Sequence, residues 1–493
     1  MAQSKEAEFE SLNPATGAVL GTYPQQSEAE VRTAVQSARL ASEQWRELGF
    51  HGRRKVLLKW SDYLLAHIDE LTSLVSLETG KPISDAKLEA ALAAGHIAWA
   101  ARHAESVMRT SHRSPGLLMA NMSATVERSP VGVVGVIGPW NYPVFTPLGS
   151  IAYALAAGNT VVFKPSEYTP GVGQFLAQSF IDSSLLDDIF ICITGLGETG
   201  KFLCESGVDK LAFTGSTRTA KLVAAACAAH MTPVVLECGG KDPVIVAHDA
   251  DIKRAADATV WSAFSNAGQT CIGAERVYVD ERVADQFIEK VLEVARDIRP
   301  GAPGEGKYGP TTMPKQLPII QSHIDDAIAR GAKVLMGGSD SVKAPFVEPV
   351  IFADVPEDSI AMTDETFGPT IAINRVRDMA EAIRLTNASR YGLGASVWSK
   401  KSGKNIASQL HTGMVAINSV ISFAAVDSVP FGGVKDSGYG RIHGAEGILE
   451  FTYPRTVVRA RFQLPIAFTS FSRTAGNDKL ILALTKFLKG RLS

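Results

Sequence analysis

Apolar positions recur at helical spacing through residues 27–110. Ser27-x-x-Glu30 forms a capping box just ahead of Val31, Ala34, Val35 and Ala38, which fall on one helical face. From Pro130 the rhythm changes to strands alternating with helices. The β-branched run Val131–Ile137 predicts a strand, Leu148–Ala157 a helix, Thr160–Phe163 a strand and Val172–Phe180 a helix. Strands at Phe190–Thr194 and Lys210–Phe213 follow, then a helix from Thr217 to about Ala229. A second series has strands Val234–Leu236 and Asp242–Val246, helix Ile252–Phe264, strand Arg276–Val279 and helix Val283–Val294. It closes with helix Ile319–Arg330 and strand Val334–Met336, and the Gly- and Pro-rich Pro300–Pro310 reads as loop. Such alternation predicts parallel sheets covered by helices, an α/β fold. No internal repeat or low-complexity tract interrupts it.

Composition narrows the class. A chain of 493 residues, 45% hydrophobic and 20% charged, suits a globular protein of two or three domains. Its net charge of −2 gives no footprint for nucleic acid. The five cysteines, Cys192, Cys204, Cys227, Cys238 and Cys271, are scattered and lack zinc-site spacing. That argues against a disulfide framework or a metal site and for a reducing compartment. Met1–Glu6 lacks the basic-then-apolar order of a signal peptide. No apolar run approaches the roughly 20 residues a spanning helix needs, so the expected location is the cytoplasm.

The candidate chemistry lies in three short segments. Cys271 ends Ser265-Asn266-Ala267-Gly268-Gln269-Thr270-Cys271, Glu237 opens Glu237-Cys238-Gly239-Gly240-Lys241, and Asn141 sits in Pro139-Trp140-Asn141-Tyr142-Pro143. A thiol nucleophile and a carboxylate base can form and then hydrolyse an acyl-enzyme. A side-chain amide can meet the oxyanion that thiol attack on a carbonyl creates. Four further segments are Phe163-Lys164-Pro165-Ser166-Glu167, Phe213-Thr214-Gly215-Ser216-Thr217, Glu365-Thr366-Phe367-Gly368-Pro369 and Pro430-Phe431-Gly432-Gly433-Val434-Lys435-Asp436-Ser437-Gly438.

With these motifs in this order, the chain from about residue 8 to 460 resembles the aldehyde dehydrogenase superfamily, in its hydrolytic, non-CoA-acylating branch. The resemblance implies a Rossmann-type cofactor domain (1–109 and 130–238) and an α/β catalytic domain (239–450). It also implies a small bridging and oligomerisation sheet (110–129 and 451–477), with 478–493 left as a tail. It implies NAD(P)-dependent oxidation of an aldehyde, with NAD preferred and NADP possible, by a homodimer or homotetramer. Cys271 would attack the aldehyde, Asn141 and the Cys271 backbone N–H would hold the oxyanion, and Glu237 would activate the water that releases the acid. Lys164, Ser166 and Glu167 resemble the adenosine-ribose clamp. Gly215 and Ser216 would lie at the pyrophosphate, and Trp140, Glu365 and Phe367 at the nicotinamide end.

Other readings stay open. Gly195-Leu196-Gly197-Glu198-Thr199-Gly200 matches a dinucleotide fingerprint, but no acidic residue ends the next strand, so it reads mainly as a turn and close-packing feature. Ser216 or Thr217 is alternatively a plain helix cap. Cys238 stands where relatives usually have Leu and reads as an apolar swap, with a redox role as the alternative. Ser150 replaces a relay lysine of many relatives, and Gly149 an aromatic, a hint of a wider substrate tunnel. In the tail, Leu480, Ile481, Leu484, Phe487 and Leu488 share a helical face opposite Lys479, Lys486 and Lys489. That face fits packing on the subunit or a neighbour, or an anchor on a membrane surface. The rivals to the enzymatic reading are a CoA-acylating enzyme, which generally lacks a base at Glu237, and a binding protein on a retained scaffold.

Overall fold

The computed structural model describes residues 7–463 and 470–489. The segment read for a signal peptide (1–6), part of the bridging segment (464–469) and the end of the tail (490–493) lie outside the described residues.

The N-terminal rhythm folds as four helices, Glu28–Glu47, Gly49–Ala66, Ile68–Thr79 and Ile83–Val107. The capping box forms: the Glu30 N–H donates to Ser27 Oγ (3.4 Å), and the Ser27 N–H donates to Glu30 Oε2 (2.7 Å). The first packs on Gly197–Glu205, and the other three pack, through Phe145–Ala157 and Pro170–Ser184, on the opposite face of a six-stranded sheet. Its order is Gly438–Tyr439, Val234–Cys238, Lys210–Gly215, Val133–Ile137, Thr160–Lys164, Phe190–Cys192. The last five run parallel, and Gly438–Tyr439 is an antiparallel edge, which the expectation of parallel sheets did not include. The helix Phe145–Ala157 shows why this layer holds. Leu148, Ile151 and Leu155 are fully buried, each stabilising the fold by about 1.5–3 kcal/mol relative to exposure.

The second sheet has seven strands in the order Lys333–Met336, Val350–Ala353, Thr370–Val376, Ala274–Asp280, Asp242–Val246, Ser396–Trp398, Ala416–Ile417. Only Lys333–Met336 pairs antiparallel. A third sheet joins distant parts of the chain: Thr452–Ala460 pairs antiparallel with Met122–Pro130, which also pairs with Ser111–Arg113. An N-terminal hairpin, Glu8–Leu12 with Val19–Pro24, was not expected.

The tail forms the helix Ala475–Lys489, which rests on the short turn Leu117–Met119 and buries no residue fully. Ile481, Leu484 and Leu488 are half-buried, whereas Leu480 and Phe487 stay 42% and 54% exposed. Among the described residues no helix is long and apolar enough to cross a membrane.

Candidate active site

In the six-stranded sheet the chain begins at Val133–Ile137, builds Thr160–Lys164 and Phe190–Cys192 on one side, then returns to add Lys210–Gly215 and Val234–Cys238 on the other. The order reverses at Val133–Ile137, and a crevice opens at the carboxyl ends of strands on either side of such a reversal. Asn141, Lys164, Gly215 and Glu237 all lie at or just beyond those ends.

Cys271 arrives from the other sheet on a strained turn. Asn266 (φ 52), Ala267 (φ 57) and Gly268 (φ 70) follow one another in left-handed conformation, at a cost of order 1 kcal/mol for each non-glycine residue. A Cβ on Gly268 would stand 2.1 Å from the Gly368 carbonyl oxygen, so that position requires glycine. Buried amides hold the turn. Asn266 Nδ2 donates to the carbonyls of Asn141 (3.1 Å) and Gln269 (3.2 Å), and Asn141 Nδ2 donates to Gln269 O (2.9 Å). Gln269 Nε2 donates to Asn266 O (2.9 Å), while its Oε1 accepts from the Thr312 N–H (2.8 Å). The network ties the nucleophile turn to the Asn141 loop. It leaves the second Asn141 amide proton for another acceptor.

A buried ion pair supports that loop from below. Lys81 Nζ donates to Glu89 Oε2 (2.6 Å) and Asn141 O (2.7 Å) and lies over the Tyr142 ring at 4.1 Å. Glu89 Oε1 accepts from the Val144 and Phe145 N–H groups (2.8 and 3.2 Å). Removing one partner would strand the other charge. Lys81→Met is therefore expected to lower stability by about 3–5 kcal/mol in a denaturant titration. A loss under 1 kcal/mol would deny the pair this role.

Two cavities meet at Cys271. The larger, about 560 Å³, is also lined by Trp140, Asn141, Gly215, Ser216, Glu365 and Phe367. The smaller, about 120 Å³, has a largely apolar wall with Lys81, Asp85 and Glu89 among its lining residues, and shares Cys271 and Thr146 with the first. Burial pushes the Cys271 thiol above its ordinary range, with Glu365, Asp242 and Glu237 adding to the effect and the Ile272 N–H opposing it. Glu237 is 3% exposed, and neither carboxylate oxygen has a partner among the described residues. Burial raises its pKa, Arg441 opposes this and Glu450 adds to it. It lines neither cavity. Glycine leaves it room, since a Cβ on Gly432 would lie 2.8 Å from Glu237 Oε1.

The larger cavity gathers five of the eight expected cofactor residues: Trp140, Gly215, Ser216, Glu365 and Phe367. Glu365, pushed up to about 8 chiefly by burial, accepts from the Gly240 N–H at 3.2 Å. A Cβ on Gly239 would fall 2.0 Å from Glu365 Oε2. The buried Lys241–Glu275 pair supports the Glu365 loop, Glu275 accepting from the Thr366 and Phe367 N–H groups (2.9 and 3.1 Å). Phe367 stands edge-on to Trp140 at 5.5 Å. Ser216 Oγ accepts from the Thr219 N–H at 3.3 Å, so the cap reading holds.

Lys164, Ser166 and Glu167 do not line this cavity. Lys164 Nζ donates to Pro165 O (2.8 Å) and Ser166 Oγ to Glu167 Oε2 (3.4 Å). Their loop runs beside Trp140, whose ring lies 6.5 Å from that of Tyr168. Arg218 and Lys221, within the first five residues of the helix Thr217–Ala228, also line the cavity. No motif marks them, and exposed helix cations are ordinarily just solvated.

None of Gly195–Gly200 lines the cavity. Gly195 turns tightly instead, its missing Cβ leaving room for Thr199 Oγ1 at 2.1 Å. Cys238 is buried and lines the cavity, with its thiol pushed up to about 12 mainly by burial. Gly149 does not widen the tunnel: a Cβ there would meet His443 Nε2 at 2.4 Å and Ile442 Cδ1 at 3.1 Å. The imidazole of His443 occupies the volume that the small residue vacates. Ser150 is buried in the helix Phe145–Ala157.

The family model described as "Aldehyde dehydrogenase family" matches residues 1–457, and the chain belongs to that family. It is an NAD(P)-dependent aldehyde dehydrogenase, the class of its curated and structural neighbours. It is similar to a 4,4'-diapolycopene aldehyde oxidase of Methylomonas sp, 38% identical over 97% of this chain and 91% of that protein. A succinate-semialdehyde dehydrogenase [NADP(+)] of Escherichia coli is 35% identical over 90% of this chain and 92% of its own length. Among solved structures, an NAD-dependent aldehyde dehydrogenase from Sinorhizobium meliloti superposes with a TM-score of 0.89 at 33% identity, covering 94% of this chain and 93% of that one.

Proposed function

We propose that Cys271 is the nucleophile that carries the acyl group, with Asn141 as oxyanion donor and Glu237 as the base that hydrolyses the thioester. The observation that supports this most is the position of Cys271 where the two cavities meet, with Asn141 on the wall of the larger one. Cys271 Sγ, once deprotonated, adds to the aldehyde carbon. The oxyanion faces the free Asn141 amide proton and the Cys271 N–H. Loss of hydride from that carbon leaves a thioester. Glu237 takes a proton from water as the water attacks the thioester, and the acid leaves as the thiolate returns. The unpartnered Glu237 oxygens suit this role, because no protein donor competes with a water for them.

The larger cavity fits a dinucleotide. It has glycine at 215 and 239 where side chains would intrude, a helix N-terminus at Ser216 and cations at Arg218 and Lys221. In it, Trp140, Glu365 and Phe367 would hold the nicotinamide end, Gly215 and Ser216 the pyrophosphate, and Lys164, Ser166 and Glu167 the adenosine ribose. The group supplies the hydride acceptor when bound. We read 1–109 with 130–238 as the cofactor domain and 239–450 as the catalytic domain. The strand Thr452–Ala460, exposed along nearly its whole length at a sheet edge, supports a homo-oligomer closed through that edge. The outward Leu480 and Phe487 keep open a membrane-surface role for the tail of an otherwise cytoplasmic enzyme.

Glu167 is expected to favour NAD, because a carboxylate that accepts from the ribose 2′-hydroxyl repels a 2′-phosphate. The ratio of kcat/KM for NAD to that for NADP should exceed unity and fall in Glu167→Gln. A wild-type preference for NADP would overturn the assignment.

A further inference from the structure

The smaller cavity defines what can lie behind the reacting carbonyl. Leu88, Leu92, Phe145, Trp261, Ile272 and Phe431 line it, and Cys271 closes its inner end. Leu88 and Trp261 are 51% and 49% exposed, so they form its mouth. Its charged lining residues are Lys81, Asp85 and Glu89. The Lys81 side chain has no exposed surface, and its ammonium is committed to Glu89, Asn141 O and the Tyr142 ring. The polar groups are similarly engaged: Tyr142 Oη bonds Thr270 Oγ1 (2.9 Å), and the Asn266 amide serves two carbonyls. Ser265 Oγ is buried there without a hydrogen-bond partner among the described residues. A second carboxylate entering here would meet no free cation among the described lining residues. It would face Asp85 instead and lose its hydration against an apolar wall, a costly desolvation.

On the catalytic reading above, we propose that the substrate is an aldehyde with an uncharged apolar body, and that the channel rejects aldehydes bearing a second carboxylate. A cavity near 120 Å³ compares with the roughly 150 Å³ that hold a benzene ring. An aryl group or a short alkyl chain fills it, and a longer chain continues out between Leu88 and Trp261.

The matched pair pentanal and 5-oxopentanoate tests the claim, with hexanal, octanal and benzaldehyde completing the panel. Pentanal should exceed 5-oxopentanoate in kcat/KM by at least about 10²-fold. Each added methylene should raise kcat/KM by up to about 4-fold until the chain clears the mouth. Leu88→Lys, at an exposed position, should lower kcat/KM for octanal and raise it for 5-oxopentanoate. Equal or better use of 5-oxopentanoate by the wild type, or no exchange of preference in the variant, overturns the proposal while leaving the catalytic reading intact. Absence of reduced cofactor with every aldehyde overturns the catalytic reading. In that event, quenching of Trp261 fluorescence by the unreactive octanamide, compared with Trp261→Phe, still reads the channel. No Trp261-dependent quenching overturns the proposal.

Discussion

Cys271→Ser is expected to lower aldehyde oxidation by roughly 10⁴-fold or more, the scale on which removal of a covalent nucleophile acts. The serine hydroxyl would occupy the same junction of cavities, but it is scarcely ionised at neutral pH, and His323, an imidazole on the wall of the larger cavity, is engaged with Thr366 Oγ1 (3.0 Å). Position alone would then be retained without reactivity. The other thiols offer no substitute. Cys204 and Cys227 are buried in helices on the far side of the sheet core, and Cys238 lines only the larger cavity, away from the junction of the two. Cys238→Ala should stay active. Near-normal turnover of Cys271→Ser, or an equally inert Cys238→Ala, would remove Cys271 from the mechanism.

Glu237→Gln should separate the two halves of the reaction. A rapid-mixing experiment is expected to show one equivalent of reduced cofactor per active site, followed by steady turnover reduced by roughly 10²–10⁴-fold, the usual weight of a general base. The pH profile adds a second signature. Burial raises the Glu237 pKa above the ordinary carboxylate range, so the basic form is scarce below that pKa and grows as pH rises through it. Wild-type deacylation should therefore climb with pH across the elevated pKa, and the Gln variant should lose that limb. The same raised pKa makes the carboxyl contribute stability that is full below its unfolded value and lost as pH rises through its folded one. Loss of the burst would place Glu237 at thiol activation instead, and unchanged turnover would exclude it from the chemistry.

What the sequence could convey depended on distance along the chain. Val133–Ile137 and Thr160–Lys164 were legible because strands buried on both faces leave continuous β-branched runs. The hairpin Glu8–Leu12 with Val19–Pro24 was not, being short, largely exposed and without clean alternation. Its turn signal was present nonetheless: Asn13 Oδ1 accepts from the Ala15 and Thr16 N–H groups (2.9 and 3.2 Å). Motif wording pointed to Cys271, Asn141 and Glu237 as partners, yet nothing local announced the Lys81–Glu89 pair beneath the Asn141 loop. The exchange of volume between Gly149 and His443 was likewise hidden, because no periodicity connects a helix residue to a loop residue so far downstream. Arg218 and Lys221 escaped because a surface cation carries no pattern until its neighbours are known.

The meeting of two cavities at one sulfur also bears on the order of events. On the proposed assignment, the aldehyde would reach the thiol through the smaller channel and the dinucleotide would have a chamber of its own. Neither need leave for the other to depart. On that assignment the acyl group can remain on Cys271 while the spent dinucleotide exits, opening the larger chamber to water. Departure of the first product then becomes a gate on the second half-reaction, and the lifetime of the acyl-enzyme would respond to free dinucleotide concentration.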